Sequence, residues 1–134
     1  MSPENQRINA DAELRRADQA LREAEALVAV ALYNGAASRA YYAVYHAACA
    51  MLGRLGMQPR THRGVEHLLG TKLVEPGHLD REHLTRFSRL QERRNVADYR
   101  AAEDVSVEQV GALLADAHAF VDAARALIVA QPET

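Results

Sequence analysis

An all-α fold, an up-and-down helical bundle of four long or medium helices plus a short one, is predicted by three features of the sequence. Alanine, leucine, arginine and glutamate dominate, β-branched residues are sparse outside a few positions, and tryptophan is absent, a composition that favours helix over sheet. Apolar residues recur at alternating three- and four-residue steps over long stretches, the period of a helix with one buried face. Between these stretches stand Asn34-Gly35, Gly56-Met57-Gln58-Pro59 and Pro76-Gly77, which read as turns. A length of 134 residues suits one domain, spanning 1–134 with residues 131–134 as a frayed tail.

Ser2-Pro3-Glu4 supplies a capping hydroxyl, a first-turn proline and an acid at the positive end of the dipole, so the first helix starts there. Leu14, Ala17, Leu21, Ala24, Val28 and Ala31 form its apolar stripe, and Asn34-Gly35 is expected to end it and return the second helix antiparallel. The second helix, roughly 36 to 56, alternates small and aromatic side chains, a pattern for close helix packing. A short helix follows from about Arg63 to Leu69, with Thr61 or His62 near its N-cap. From about Leu79, the residues Leu84, Phe87 and Leu90 mark a fourth helix ending near Tyr99. Ser106 with Gln109 fits a capping box at the head of the last helix. Its stripe is Val107, Val110, Leu114, Ala117, Val121, Ala124 and Ile128, read as intramolecular core ahead of an oligomer seam.

A formal net charge of −2 argues against a protein that coats nucleic acid by charge alone. A local basic patch of Arg86, Arg89, Arg93, Arg94 and Arg100 can still attract phosphate. The only cysteine, Cys49, lies in an apolar helical stretch and reads as a small buried residue. No basic start followed by an apolar run precedes the first helix, and no apolar stretch reaches bilayer length, so a cytoplasmic location is expected.

Six histidines invite a metal, but His62 and His67, like His78 and His83, stand five apart, off the three- or four-residue step that aligns two imidazoles on a helix. No HExxH, cysteine cluster, phosphate-cradling glycine motif or GxSxG turn is present, so no metal and no cofactor is expected. Two segments stand out. In the first, Arg39, Tyr42 and His46 share one helix face, beside an adjacent face of Ser38, Tyr41, Tyr45 and Ala48. It reads as a polar-aromatic rim beside the core, or as a surface that stacks bases or docks a partner. The second is Arg93-Arg94-Asn95-Val96-Ala97-Asp98-Tyr99-Arg100, which taken alone is a helix end whose arginines complement the dipole.

Taken together, Ser38-Arg39-Ala40-Tyr41-Tyr42-Ala43-Val44-Tyr45-His46-Ala47-Ala48, then Thr61-His62-Arg63-Gly64-Val65, then Arg94-Asn95-Val96-Ala97-Asp98-Tyr99 resemble the HEPN family of small helical domains, in particular its stand-alone bacterial and archaeal members. The resemblance covers almost the whole chain. It implies an up-and-down bundle, often dimeric, in a family with many ribonucleases of toxin-antitoxin or defence systems, commonly partnered with a small nucleotidyltransferase. The family's catalytic signature is an arginine, a polar residue that is often asparagine, and a histidine five positions after the arginine. Arg94 and Asn95 match the first two, while Tyr99 stands at the histidine position.

The resemblance therefore implies metal-independent RNA cleavage in a homodimer cleft. Arg94 would stabilise phosphate charge, Tyr99 would donate a proton, and Asn95 and Asp98 would orient them. Arg39, Tyr42, His46, Arg93 and Arg100 form the expected nucleotide- or RNA-binding set. A phenol titrating near 10 is a poor proton acceptor at neutral pH. The exchange of tyrosine for histidine thus also supports a second reading, a non-catalytic nucleotide- or RNA-binding module that docks a nucleotidyltransferase, with Tyr99 as a candidate for modification by that partner. A bundle acting only as an adaptor is the third.

Overall fold

The structure, a computed structural model, describes residues 2–99 and 104–130, and for residues 95–99 the backbone alone. It contains α1 (Pro3–Ala29), α2 (Tyr33–Arg54), α3 (His62–Leu68), a π-helical turn (Leu69–Val74), α4 (Arg81–Tyr99) and α5 (Val107–Ala130). No strand occurs among the described residues, as the composition predicts. The second helix is the central one, packing against α1, α5, α4 and α3. Its alanines make this possible. Ala36, Ala40, Ala43, Ala47 and Ala50 are fully buried, and their small side chains let neighbouring helices approach the α2 backbone. Tyr41, Phe87 and Phe120, also fully buried, form an aromatic row from α2 through α4 to α5.

Local chemistry sets most of the helix starts. Ser2 Oγ accepts from the Asn5 amide at 3.1 Å, and Thr61 Oγ1 accepts from the Gly64 amide at 2.9 Å. The capping box at α5 is complete. The Gln109 amide donates to Ser106 Oγ at 3.1 Å, and the Ser106 amide donates to Gln109 Oε1 at 2.9 Å. Val110, Ala117, Val121, Ala124 and Ile128 are buried as the stripe requires, joined by Leu113 and Phe120. Val107 is not: at the first position of the helix it is 51% exposed.

The first interhelix turn differs from expectation. Asn34 and Gly35 lie inside the first turn of α2, and the chain reverses instead at Val30–Leu32. Ala31 adopts a left-handed φ of 62°, its amide bonds to the Val28 carbonyl at 3.0 Å, and the Leu32 amide bonds to the Leu27 carbonyl at 2.8 Å. These are the paired bonds of a Schellman ending. The same pair closes α2 around Gly56 (φ 78°) and closes the π-helical turn around Gly77 (φ 87°). The turn chemistry of Asn34-Gly35 serves other ends. Asn34 accepts from the Val105 amide at 2.8 Å and donates to Asp104 at 2.9 Å, tying the hairpin to the segment before α5. Gly35 leaves room for Leu27, whose Cδ1 would lie 3.3 Å from an added Cβ. Ala31 is thus the one ending of the three that lacks glycine. Ala31→Gly is expected to raise stability by about 0.5–1 kcal/mol, read as a higher midpoint in thermal or urea unfolding, because an alanine in this region costs about 1–2 kcal/mol and the added unfolded-state freedom returns part of that.

The short helix begins one residue earlier than expected and runs on into the π-helical turn, where the Glu75 amide bonds to the Gly70 carbonyl at 2.9 Å. No helix among the described residues is long and apolar enough to cross a membrane.

Candidate functional site

Arg94 sits near the C-terminal end of α4, and α2 places Tyr41 and Tyr42 opposite it. The guanidinium carbon lies 5.1 Å from the Tyr41 ring centroid and 5.2 Å from that of Tyr42, and Nη2 donates to the Tyr42 hydroxyl at 3.1 Å. A cation over phenol faces is held by ring electrostatics as well as by the hydrogen bond, so this arginine has a defined seat. Arg39 stacks on Tyr42 from its own helix, 4.5 Å from the centroid, and reaches Glu23 of α1 at 3.7 Å. Two guanidiniums therefore share one half-buried phenol. Arg39, Tyr42 and Arg94, singled out in the sequence, are brought together.

The other expected members are distributed differently. His46 turns to α1, where Nδ1 meets Glu13 Oε2 at 2.7 Å. Arg93 is half-buried beside Arg94 on α4. Asn95, Asp98 and Tyr99 fall on the last turns of α4, but their side chains, like the whole of Arg100, lie outside the described residues. The expected patch is also less basic than its arginine count suggests. Arg89 makes a two-pronged bond to Asp116, at 2.9 and 3.0 Å, and Arg86 lies 3.0 Å from Glu82 and 3.5 Å from Asp116. Positive charge is thus offset by acids along the middle of α4.

The site residue that the motif spacing did not single out for a role is His62. It opens α3, beneath the Thr61 cap. A Cβ at residue 64 would come within 2.9 Å of Thr61 Oγ1, so glycine there lets the cap close. This arrangement turns the imidazole onto α2. Its Nδ1 shares a hydrogen bond with the Tyr41 hydroxyl, and its ring centroid lies 5.5 Å from Tyr41 and 4.6 Å from Tyr45. Burial, and then the Arg94 charge, push its pKa below the usual 6.5. Burial raises the Tyr41 phenol well above its ordinary value against the opposing pull of Arg94, and burial, with Cys49 and Glu13 adding to it, also raises Tyr45. Cys49, hydrogen-bonded to Tyr45, is pushed up to about 11 by burial and by Glu13, so its thiol stays protonated. The sequence signal for His62 was present in Thr61-His62-Arg63-Gly64-Val65, which lies between the other two segments.

What fold and site define together is a helical bundle presenting an arginine on a tyrosine pair, with an imidazole behind them. The family model for the HEPN domain matches residues 10–127, and the chain belongs to that family. The UPF0332 protein of Archaeoglobus fulgidus is 34% identical over 112 residues, covering 84% of this chain and 89% of its own. A Methanocaldococcus jannaschii protein named as a candidate toxin is 30% identical over 106 residues, covering 79% of this chain and 78% of its own. The UPF0332 protein of Gloeobacter violaceus is 30% identical over 125 residues, covering 92% of this chain and 95% of its own.

Proposed function

We propose that this chain is a toxin-type HEPN protein that cleaves RNA without a metal ion, at a cleft formed where two copies bring their α4 ends together. The observation that carries the reading is the Arg94 guanidinium, seated on Tyr41 and Tyr42 with Nη2 bonded to the Tyr42 hydroxyl at 3.1 Å. A guanidinium carries five N–H donors, so this bond leaves donors for phosphate oxygens. In the reaction Arg94 stabilises the charge that builds on the phosphorane, Tyr99 donates a proton to the departing oxygen, and Asn95 and Asp98 orient the pair. Arg39, Arg93 and Arg100 hold the RNA backbone, Tyr42 offers a stacking face, and His46, held by Glu13 of α1, is the remaining member of the proposed binding set. The candidate-toxin name of the Methanocaldococcus jannaschii relative supports the setting, and a small nucleotidyltransferase is the partner the family resemblance favours.

RNA incubated with purified protein is expected to yield 2′,3′-cyclic phosphate ends. Arg94→Ala is expected to lower the rate by about 10²–10³-fold, the scale of a lost charge stabiliser, and Tyr99→Phe to lower it as well. Intact RNA after incubation with wild type would overturn cleavage. The two guanidiniums on Tyr42 favour the second reading in that case, a nucleotide- or RNA-binding module. Saturable nucleotide binding sensitive to Arg94→Ala would then carry it.

A further inference from the structure

We infer that His62 is the proton acceptor of this site, an imidazole fixed by Tyr41 and Tyr45 beside the Arg94 guanidinium, and that its Nε2 takes the proton of an RNA 2′-hydroxyl. The inference rests on the RNA-cleaving reading above and adds the group that reading lacks.

Attack by a 2′-oxygen needs a nearby group that accepts a proton near neutral pH. The phenols of this site do not serve. Burial holds Tyr41 and Tyr45 in their protonated forms, and Arg94 is a permanent cation. His62 has the opposite properties. The groups that face it are Tyr41 and Tyr45 of α2 and Arg94 of α4, and burial together with the Arg94 charge keeps it neutral at pH 7, the form in which an imidazole accepts a proton. One phenol links the pair: the Tyr41 hydroxyl bonds to His62 Nδ1, and the Tyr41 ring lies 5.1 Å from the Arg94 guanidinium carbon. In the tautomer whose Nδ1–H donates to the Tyr41 oxygen, Nε2 carries the lone pair that accepts the proton, and no described residue bonds to it.

The other histidines are placed elsewhere or held otherwise. His46 is bonded to Glu13, His118 to Glu25 at 2.7 Å, and His83 lies 3.2 Å from an Arg86 nitrogen, while His67 and His78 are exposed. Only His62 joins geometry to the arginine.

In the step, the 2′-hydroxyl proton passes to Nε2 as the 2′-oxygen bonds to phosphorus. The P–O5′ bond breaks, and the 5′-oxygen leaves with the proton of Tyr99. Solvent then returns the proton from the imidazolium to the phenolate, and the products are a 2′,3′-cyclic phosphate and a 5′-hydroxyl.

The test is RNA cleavage by the full chain as a function of pH, with His62→Gln, whose side-chain amide keeps a donor for the Tyr41 oxygen, and His62→Ala. Wild type is expected to gain rate as pH rises through a limb below about 6.5 and then to level. His62→Gln is expected to lose about 10²–10⁴-fold and the limb with it. Added imidazole is expected to restore part of the rate of His62→Ala. Cleavage by His62→Gln within about tenfold of wild type with the limb intact, or a lost His62→Ala rate that imidazole leaves unchanged, overturns the inference. In either case an active wild type silenced by Arg94→Ala leaves the RNA-cleaving reading standing. An inert wild type overturns both.

Discussion

Phe87→Ala is expected to lower folding stability by about 3–5 kcal/mol, the range for truncating a fully buried phenylalanine. Phe87 has no exposed surface, and its ring lies 6.0 Å from Tyr41 and 5.8 Å from Phe120. Removing it opens a cavity between α2, α4 and α5 that three separate helices would have to close, and closely packed backbones relax little. Against a typical total of about 5–15 kcal/mol, such a loss leaves a marginal domain. Urea unfolding should show a much lower midpoint at similar slope. A change below about 1 kcal/mol would mean that this aromatic row does not carry the core. The variant also bears on the site, because Tyr41 rests on Phe87 and Arg94 rests on Tyr41.

Ala47→Leu is expected to cost about 1–3 kcal/mol although it adds hydrophobic surface at little change in helix propensity. Ala47 is fully buried on the central helix, where small side chains set the approach of the neighbouring helices. Added methylenes there must push a helix outward or force strained rotamers. The control is Ala112→Leu on the exposed side of α5, expected to stay within about 0.5 kcal/mol of wild type. Equal unfolding midpoints for the two variants would show that the α2 interfaces have slack.

The helices were legible where their determinants are local. Ser106 and Gln109 stand three residues apart and bond each other, so reading the pair was sufficient to place the start of α5. The reversal after α1 was not legible. An Asn-Gly pair is a strong turn signal, but here Asn34 serves Val105, 71 residues away, and the turn is made by an alanine that gives no signal at all. The site divides the same way. Arg39 and Tyr42 are neighbours on one helix and were read together from their spacing. His62 and Tyr41 are 21 residues apart, and only the packing of α3 on α2 puts the imidazole beside the phenol. Arg86 and Arg89 looked like part of a cationic surface because Asp116, 27 residues beyond Arg89, cannot be paired with them from spacing alone.

The π-helical turn after α3 works as a phase shifter. A residue on an α-helix advances about 100° around the axis, so one extra residue per turn sets the chain ahead of the turn out of step with the chain behind it by that amount. Leu69, Leu73 and Val74 can then all face the core within one short stretch, while His62 at the head of the same continuous rod remains aimed at α2. Removing a single residue between Leu69 and Val74 would restore an ordinary helix and force a choice between keeping those apolar residues inside and keeping the imidazole on Tyr41. In this chain the angular position of a polar group is fixed by a spacer whose apolar side chains lie in the core.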